Sequence, residues 1–419
     1  MDPQVAASLS QWATESNSAV FISLGLLSGH VIVVSGETVD GVVKALSTDL
    51  TAECLPEDDE DGADVIQFHP AFTYPIYGEH ERIFGYKGLR IQLSYAAGSL
   101  ATLFEVDYAK RIEQMESTLS VPLKADDVDG PMRSVLAQNI CNTREEFAQR
   151  VAFDTQAFRP IGQKVHEYKG TREAEGDEQL RYEIYESGFE SSEFRAYHER
   201  MQTLVLFFIE GAQFIDMDDE RWRVFTVFER LDINGVASYS LVGFCTMYRF
   251  FHWPDRKRPR ISQFLILPPF QGQGHGSSLY RFIYSMVLAS PEYADLSVED
   301  PSEAFDDMRD RNDMRYLLKH KAFDHITCAP VSRSDIVELQ RRFKLSMRQM
   351  TRCLEIALLQ RIKSESAPEF RQLRLFIKRR IYAQNTDLLQ DLDADDKKQK
   401  VAESFAAVID DYRRILSLI

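Results

Sequence analysis

Three glycines recur at every second position in residues 270–276, which read FQGQGHG. Glycine lets the backbone turn tightly and lets backbone N–H groups approach a ligand closely. Residues 261–267 before this loop have the composition of a strand, and a helix is predicted from Ser277 to about Ala289. The start of such a helix adds unpaired N–H donors and the positive end of the helix dipole. These residues therefore predict a cradle for a diphosphate group.

Several nucleotide-binding folds use a glycine loop, and its context distinguishes them. A Walker loop needs Gly-Lys followed by Ser or Thr, and a dinucleotide fingerprint needs GxGxxG inside a parallel βαβ unit. Here the predicted order is antiparallel hairpin, strand, glycine loop, helix and strand. A plain strand-to-helix turn would not explain three alternating glycines. The spacing Gln271-x-x-Gly274-x-Gly276 resembles the signature of the GCN5-related N-acetyltransferase superfamily.

The elements that must position this loop follow from periodicity and turn signals. Residues 192–215 predict one long amphipathic helix that ends in a turn at 218–220. Residues 223–230 and 239–251 predict two strands joined by an Asn-Gly hairpin turn. Further predicted segments are strands at 31–34 and 295–298, a small antiparallel sheet within 84–108, loops at 57–61, 125–129 and 253–260, and helices from Ser302 to the C-terminus.

Longer stretches of sequence narrow the resemblance to the type B histone acetyltransferase catalytic subunit family. They are residues 84–89 (FGYKGL), 96–100 (AAGSL), 197–202 (YHERMQ), 214–222 (FIDMDDERW), 258–276 and 299–302 (EDPS). The resemblance implies a mixed α/β (α+β) fold with an acetyltransferase core at 157–304. It also implies an N-terminal α/β domain at 1–156 that contacts the substrate tail, and a C-terminal helical domain at 305–419.

The resemblance also implies acetyl-CoA as co-substrate. Backbone groups of Phe264, Leu265 and Ile266 are expected to pair with the pantetheine arm, and these residues also fit a core strand. The diphosphate is expected at Gln271, Gly272, Gln273, Gly274, His275, Gly276 and Ser277.

Acetyl transfer to lysine needs a general base, because a free lysine with a pKa of about 10.4 is protonated at neutral pH. The family's candidates correspond to Glu299, Glu210 and Asp300. On the residues alone, Asp300 fits a helix cap as well as it fits catalysis. We favour Glu299 as base, with Glu210 and Asp300 sharing the role through water. Because no cysteine falls on a family catalytic position, we expect direct transfer in a ternary complex.

Acidic and aromatic residues supply candidates for binding a basic tail. By resemblance these are Glu79, His80, Glu81, Trp222, Tyr248, Arg249 and Phe250. Carboxylates and aromatic faces suit a peptide rich in lysine and arginine. Taken singly, Trp222 also fits a core residue, and Glu79 and Glu81 also fit exposed charges. His252 and His275 have no partners at metal spacing, so we expect structural roles for both and no metal.

The implied reaction is acetylation of lysines in the N-terminal tail of free, newly synthesised histone H4. The resemblance further implies a WD-repeat histone chaperone as partner and residence in nucleus and cytoplasm. Two alternatives remain open at this point. One is an acetyltransferase for another basic protein or a polyamine, and the other is a catalytically silent histone-binding subunit.

Composition agrees with these expectations without proving them. The formal net charge of −16 disfavours direct DNA binding and favours a cationic substrate, although charge alone also serves solubility. Five cysteines with no CxxC pair indicate a reducing compartment and no zinc site. No apolar run reaches the roughly 18 residues of a membrane span. The basic runs at 256–260 and 378–380 predict solvated faces rather than nucleic-acid sites.

Two features depart from the family pattern. Residues 25–53 have no counterpart that we can assign. Ala304 stands where the family has a serine near the cofactor, which predicts that one cofactor hydrogen bond is missing.

Overall fold

The computed structural model describes residues 9–25, 65–114, 123–173, 179–233 and 235–419. The chain divides into two compact units. Unit 1 contains Met1–Met247 and Gln263–His275, and unit 2 contains Tyr248–Ser262 and Gly276–Ile419. The predicted three-part division at 1–156, 157–304 and 305–419 stays a prediction.

Strands are interspersed with helices up to residue 298, and helices follow, which confirms the mixed α/β fold with a helical C-terminal region. The strands are β1 (Ala13–Glu15), β2 (Val20–Gly25), β3 (Val65–Phe68), β4 (Arg82–Phe84), β5 (Tyr86–Lys87), β6 (Arg90–Ala96), β7 (Thr102–Asp107), β8 (Lys110–Arg111), β9 (Gln163–Glu173), β10 (Gln179–Ser187), β11 (Trp222–Ile233), β12 (Val236–His252), β13 (Arg256–Ile266) and β14 (Ser297–Val298). The helices are α1 (Ser16–Ala19), α2 (Tyr74–Tyr77), α3 (Asp129–Val135), α4 (Arg144–Ala157), α5 (Ser192–Phe208), α6 (His275–Ala289), α7 (Glu303–Lys319), α8 (Arg333–Phe343), α9 (Met347–Arg361), α10 (Pro368–Gln384), α11 (Thr386–Leu389) and α12 (Ala394–Leu416).

The N-terminal sheet of unit 1 has the strand order β3-β2-β6-β7. Strands β6 and β7 are antiparallel, which confirms the small antiparallel sheet predicted within 84–108. Strand β6 also pairs in parallel with β2, which the sequence did not indicate. Phe147 and Val151 of α4 pack with Leu103 of β7 and with Cys141 in one apolar cluster. Burial of this cluster holds α4 against the sheet.

The larger sheet of unit 1 has the strand order β13-β12-β11-β10-β9. Helix α5 is amphipathic, and its apolar side chains are buried against this sheet. The Tyr197 ring lies 6.3 Å from the Phe228 ring on β11, and the Tyr197 hydroxyl donates to the Gly98 carbonyl at 3.1 Å. Because Gly98 follows β6, α5 connects both sheets of unit 1.

Helix α5 ends at Phe208, so the helix predicted over 192–215 is wrong at its C-terminal end, whereas the turn predicted at 218–220 is present. Ile209 is already extended, and Gly211 takes a φ of 68°. Glycine adopts this left-handed conformation readily and commonly ends helices. Apolar residues continue through the break, so their spacing did not reveal it. As a result Glu210 lies on a turn.

In unit 2, β14 pairs in parallel with β13 through Arg260–Ser297 and Ile261–Val298. The predicted order of hairpin, strand, glycine loop, helix and strand is confirmed by β11, β12, β13, α6 and β14. Strand β14 is shorter than the predicted 295–298.

The basic residues at 256–260 are part of β13, so the predicted loop at 253–260 is wrong from Arg256 onward. Three of their side chains lie beside carboxylates, forming what we call the ion-pair ladder. Its members are Lys257–Glu292 (2.9 Å), Arg258–Asp295 (2.7 Å) and Arg260–Glu299 (3.3 Å). These carboxylates explain why a run of cations can occupy a strand without strong mutual repulsion.

The helical part of unit 2 contains buried, hydrogen-bonded charges. Gln349 on α9 donates to both Asp310 (2.8 Å) and Asp313 (2.9 Å), which are fully buried on α7. Arg380 on α10 lies 2.7 Å from buried Glu355 on α9. The expectation that residues 378–380 form a solvated face is therefore wrong for Arg380. Buried charges require such partners, because desolvating an unpaired ion is costly.

Some predictions fall on other parts of the chain. The strand at 31–34, the acidic loop at 57–61 and most of residues 25–53 lie outside the described residues. The loop at 125–129 is confirmed except that Asp129 begins α3. Among the helices of the described ranges, none has both the length and the apolar character to cross a bilayer.

Two buried histidines of unit 1 predict a loss of stability in acid. Burial lowers the pKa of both His198 and His275 from 6.5 to about 4. Below pH 6.5 the unfolded chain therefore takes up protons that the folded chain does not. The free energy of unfolding should fall by about 3 kcal/mol for each histidine between pH 6.5 and 4.

The variant His198→Leu tests this, because neither ring nitrogen of His198 has a hydrogen-bond partner among the described residues. Denaturant unfolding at pH values from 7.5 to 4 should show that the free energy of unfolding falls less in the variant than in the parent. At pH 7.5 the two proteins should have nearly the same free energy of unfolding. A variant with the parent's pH dependence would contradict the prediction.

Candidate active site

A short 3-10 turn at Pro268–Phe270 separates the end of β13 from the glycine loop. The Gln271 side chain donates to the Ile266 carbonyl (2.8 Å), and the Gln273 side chain donates to the Pro269 carbonyl (2.9 Å). Gly272 and Gly274 have φ values of 75° and 88°, which favour glycine. A Cβ atom added to either would meet nothing within 4 Å. The side chains of Gln271 and Gln273 therefore hold the loop in shape, and Gly272 and Gly274 border open space, as a cradle for a diphosphate requires.

His275 begins α6, but its imidazole ring is buried in unit 1. Its Nδ1 atom is hydrogen-bonded to the Tyr168 hydroxyl (2.9 Å), and its ring centre lies 4.3 Å from that of the Tyr182 ring. Only 2% of the residue is exposed. This burial agrees with the structural role expected for His275, and it leaves the backbone N–H as the group that could serve a ligand.

The carboxylate of Glu299 is held by two side chains of β13. The Ser262 hydroxyl donates to Glu299 Oε2 (2.5 Å), and Arg260 Nη1 lies 3.3 Å from Oε1. The Glu299 backbone N–H donates to the Ile261 carbonyl (2.8 Å), directly after the last pair of β13 and β14. With 43% of its side chain exposed, Glu299 remains accessible to a substrate.

Arg260 also joins Glu299 to a predicted substrate residue. Its guanidinium lies 4.4 Å from the centre of the Phe250 ring, and the Phe250 ring lies 4.5 Å from the Tyr248 ring. An aromatic face and a carboxylate thus flank one cation. In the sequence Arg260 belongs to the basic run at 256–260, and no signal there pairs it with Glu299.

Asp300 follows Glu299 in an exposed position, with a φ of 31°. The helix-cap alternative for Asp300 is wrong, because the Ser302 side chain accepts from the Phe305 N–H at the start of α7. The left-handed backbone at Asp300 turns the chain between β14 and this cap. Ala304 lies in the first turn of the same helix.

Glu210 is exposed on the turn after α5. On one side of it, the Gly211 N–H donates to the Tyr74 hydroxyl (2.6 Å). On the other, the Gln213 carbonyl accepts from the Gln263 side chain of β13 (2.9 Å). The turn carrying Glu210 is therefore fastened within unit 1, and Glu210 itself faces solvent.

The three predicted tail-contact residues at 79–81 differ from one another. Glu79 and His80 are exposed. Glu81 instead accepts from the backbone N–H groups of Thr73 (2.6 Å) and Tyr74 (3.1 Å) and from the Asn17 side chain (3.0 Å). The Thr73 N–H bond is the main cause that lowers the pKa of Glu81. Glu81 thus anchors the start of α2, a contribution that the sequence did not indicate.

Trp222 is half-buried at the start of β11, so it is neither a fully buried core residue nor a fully exposed one. Its backbone N–H donates to the Asp219 carbonyl at 3.2 Å. Arg249 is likewise half-buried on β12.

Within each unit the structure brings several predicted residues together. In unit 1, Tyr74 connects the segment of Glu81 with the turn of Glu210. In unit 2, Arg260 connects Glu299 with Phe250 and so with Tyr248. The described residues contain no cluster of three or more histidine, cysteine or acidic side chains that could hold a metal ion.

Replacing Glu81 should affect stability. Glu81→Ala removes an acceptor shared by two backbone N–H groups, and it should lower the free energy of unfolding by about 2 kcal/mol. Glu79→Ala is the matched control, because Glu79 is exposed, and its effect should stay within about 0.5 kcal/mol. Equal denaturant midpoints for both variants would show that the Glu81 contacts contribute nothing.

Comparisons with known proteins give one consistent answer. Residues 12–210 match the family model described as "Histone acetyl transferase HAT1 N-terminus". The protein named "Histone acetyltransferase type B catalytic subunit" from Mycosarcoma maydis is 38% identical over 374 residues, covering 82% of each chain. The protein of the same name from Homo sapiens is 33% identical over 382 residues, covering 86% of this chain and 89% of its own.

A further relative of that name, from Cryptococcus neoformans, is 32% identical over 442 aligned positions that cover 99% of both chains. Among solved structures, an aminoglycoside acetyltransferase from an uncultured soil sample aligns with 36% of this chain at 13% identity and a TM-score of 0.23. The assignment rests on the sequence relatives and not on that alignment. This chain belongs to the family of type B histone acetyltransferase catalytic subunits.

Proposed function

We propose that this histone acetyltransferase transfers an acetyl group from acetyl-CoA to lysines in the N-terminal tail of free, newly synthesised histone H4. The observation that carries the proposal is the Glu299 carboxylate, accessible to solvent and fixed by Ser262 and Arg260 beside the Phe250 ring. A carboxylate beside an aromatic face suits the ammonium group of a lysine side chain.

Glu299 is the proposed general base. It accepts a proton from the substrate ammonium group, which leaves a neutral amine able to attack the acetyl carbonyl carbon. The carbon–sulfur bond breaks as the new carbon–nitrogen bond forms, and the second proton of the nitrogen passes to the leaving thiolate, which gives the amide and the CoA thiol. Glu210 and Asp300 are exposed carboxylates that can share the proton through water. Attack is direct, within a ternary complex.

Acetyl-CoA fits the chain through the glycine loop. The co-substrate supplies the activated acetyl group, and the open backbone at Gly272 and Gly274 would hold its diphosphate together with the first N–H groups of α6. The other loop residues in this role are Gln271, Gln273, His275, Gly276 and Ser277. Backbone groups of Phe264, Leu265 and Ile266 would serve the pantetheine arm.

The tail of H4 is the proposed acceptor because its cationic side chains suit the acidic and aromatic groups among the proposed contact residues. Glu79 and His80 are exposed for contact, and Trp222, Tyr248, Arg249 and Phe250 are half-buried. We assign Glu81 to holding its segment in place, and its role in binding the tail is indirect. The net charge of −16 favours approach of a cationic peptide over DNA.

A WD-repeat histone chaperone is the proposed partner, with residence in nucleus and cytoplasm, as for a histone-modifying enzyme that acts before chromatin assembly. Exposed aromatic side chains at the end of β12 support a protein partner. Phe251 is 70% exposed and Trp253 is 80% exposed. Large exposed aromatic side chains are common at protein interfaces.

Incubation of the full chain with acetyl-CoA and an H4 tail peptide tests the proposed substrate. Mass spectrometry should find acetyl-lysine in this peptide and much less in a polyamine or in an unrelated basic peptide of equal charge. Equal modification of all acceptors would favour a general acetyltransferase for cations. Peptide binding without any acetylation would identify a silent histone-binding subunit.

The variant Glu299→Gln tests the base. It keeps a polar side chain of the same size but cannot accept the proton, so turnover should fall by about 100-fold or more while CoA affinity stays unchanged. Glu292→Gln is the matched control, since Glu292 is an exposed member of the same ion-pair ladder. If Glu299→Gln turned over H4 peptide as fast as Glu292→Gln, Glu299 would not be the base.

A further inference from the structure

A buried asparagine contacts the start of the helix that follows the glycine loop. Asn312 lies on α7 and is 7% exposed. Its side-chain Nδ2 donates to the Ser277 hydroxyl on α6 (3.0 Å) and to the Met308 carbonyl (2.7 Å). Ser277 belongs to the proposed diphosphate site, whereas neither the glycine-loop signature nor the family resemblance indicated Asn312.

The two contacts of Asn312 fix the direction of each hydrogen bond. An amide nitrogen has two hydrogens, and here one points to Met308 and the other to Ser277. The reverse orientation of the amide would place its oxygen against the Met308 carbonyl oxygen, where neither atom can donate. Ser277 must therefore accept from Asn312.

A hydroxyl group that accepts in this way keeps its own hydrogen for another partner. Serine has one O–H donor and two acceptor positions, and Asn312 occupies one of the acceptor positions. The Ser277 hydrogen is then directed away from Asn312. A phosphate oxygen is a strong acceptor for such a hydrogen, and bonds to charged acceptors are stronger than neutral ones.

We propose that Asn312 is a positioning residue for acetyl-CoA, which holds the Ser277 hydroxyl as a donor to the cofactor diphosphate. This inference rests on the proposed function of the glycine loop. It assigns part of the diphosphate site to α7, outside the loop signature. It also gives this chain a polar contact from α7, the helix whose first turn holds Ala304 in place of the serine expected by resemblance.

A second contact keeps Asn312 opposite Ser277. The Tyr280 hydroxyl, one turn further along α6, donates to Asp313 on α7 (2.8 Å). Asp313 is fully buried and also accepts from Gln349 (2.9 Å). Two bonds between the same pair of helices, one turn apart, limit sliding of α7 along α6. The amide of Asn312 is thereby fixed in register with the hydroxyl that it orients.

Titration calorimetry with CoA tests the proposal, using the full chain, Asn312→Leu, Ser277→Ala and the double variant. Leucine keeps the approximate shape of asparagine but has no donor. We expect Ser277→Ala to raise the Kd for CoA about tenfold and Asn312→Leu to raise it by a similar or smaller factor. In the double variant the Kd should match that of Ser277→Ala, because Asn312 acts through Ser277.

A second variant keeps the test independent of lost packing. In Asn312→Asp the carboxylate accepts, so it draws the Ser277 hydrogen to itself, and CoA should bind more weakly than to Asn312→Leu. Asp307→Asn is the matched control on α7, since Asp307 pairs with Arg414 and not with Ser277. It should leave the Kd for CoA unchanged, and thermal unfolding of every variant checks that each is folded.

The outcomes separate the two proposals. If the parent chain does not bind CoA, the proposed function of the loop fails. If the parent binds CoA but Asn312→Asp and Asn312→Leu bind it equally well, the role of Asn312 is wrong. The role of Asn312 would also be wrong if Asn312→Leu raised the Kd for CoA by the same factor in the Ser277→Ala background as in the parent chain. Asn312 would then not act through Ser277.

Discussion

The short parallel pairing of β13 with β14 is the constraint on which the candidate site depends. It joins only Arg260–Ser297 and Ile261–Val298, and β14 then ends. The Glu299 backbone bonds to the Ile261 carbonyl at that point. Its carboxylate therefore emerges beside Ser262 and Arg260, on the strand that leads to the glycine loop. One strand thus carries both the groups that hold the proposed base and the chain that leads to the glycine loop.

Charge pairing explains how an acidic protein can place so many cations along this strand. The ion-pair ladder sets carboxylates opposite Lys257, Arg258 and Arg260. The pairs of Lys257 and Arg258 precede the candidate site on β13 and hold this strand to Glu292 and Asp295. Arg260 differs because it also lies over the Phe250 ring. A substrate lysine would meet the same pair of groups, an aromatic face and a carboxylate, that already bind the arginine.

The sequence predicted the parts of the site that depend on local chemistry. The glycine loop could be predicted because Gly272 and Gly274 adopt left-handed conformations that few other residues tolerate. The order of strand, loop and helix followed from periodicity. The contacts between distant residues could not be predicted. No pattern within the sequence indicates that Ser262 would meet Glu299, or that Asn312 would meet Ser277.

The same limit explains the errors in secondary structure. The end of α5 was missed because apolar residues continue past Phe208, whereas the backbone is already extended at Ile209 and left-handed at Gly211. Residues 256–260 looked like a loop because their charges lacked visible partners, and those partners lie at 292–299. The pair with Glu355 likewise separated half-buried Arg380 from its exposed neighbour Arg379.

The contrast between Glu81 and Glu299 shows how the surroundings of a carboxylate decide its role. Glu81 accepts from two backbone N–H groups and an asparagine side chain, and these donors stabilise its charged form. An acid held in this way is a poor proton acceptor, although its position in the sequence suggested contact with substrate. Glu299 is held by one hydroxyl and one exposed arginine, and a competing cation can displace the arginine. The weaker hold suits the proposed role of Glu299 as general base, because such a carboxylate must exchange partners during each turnover.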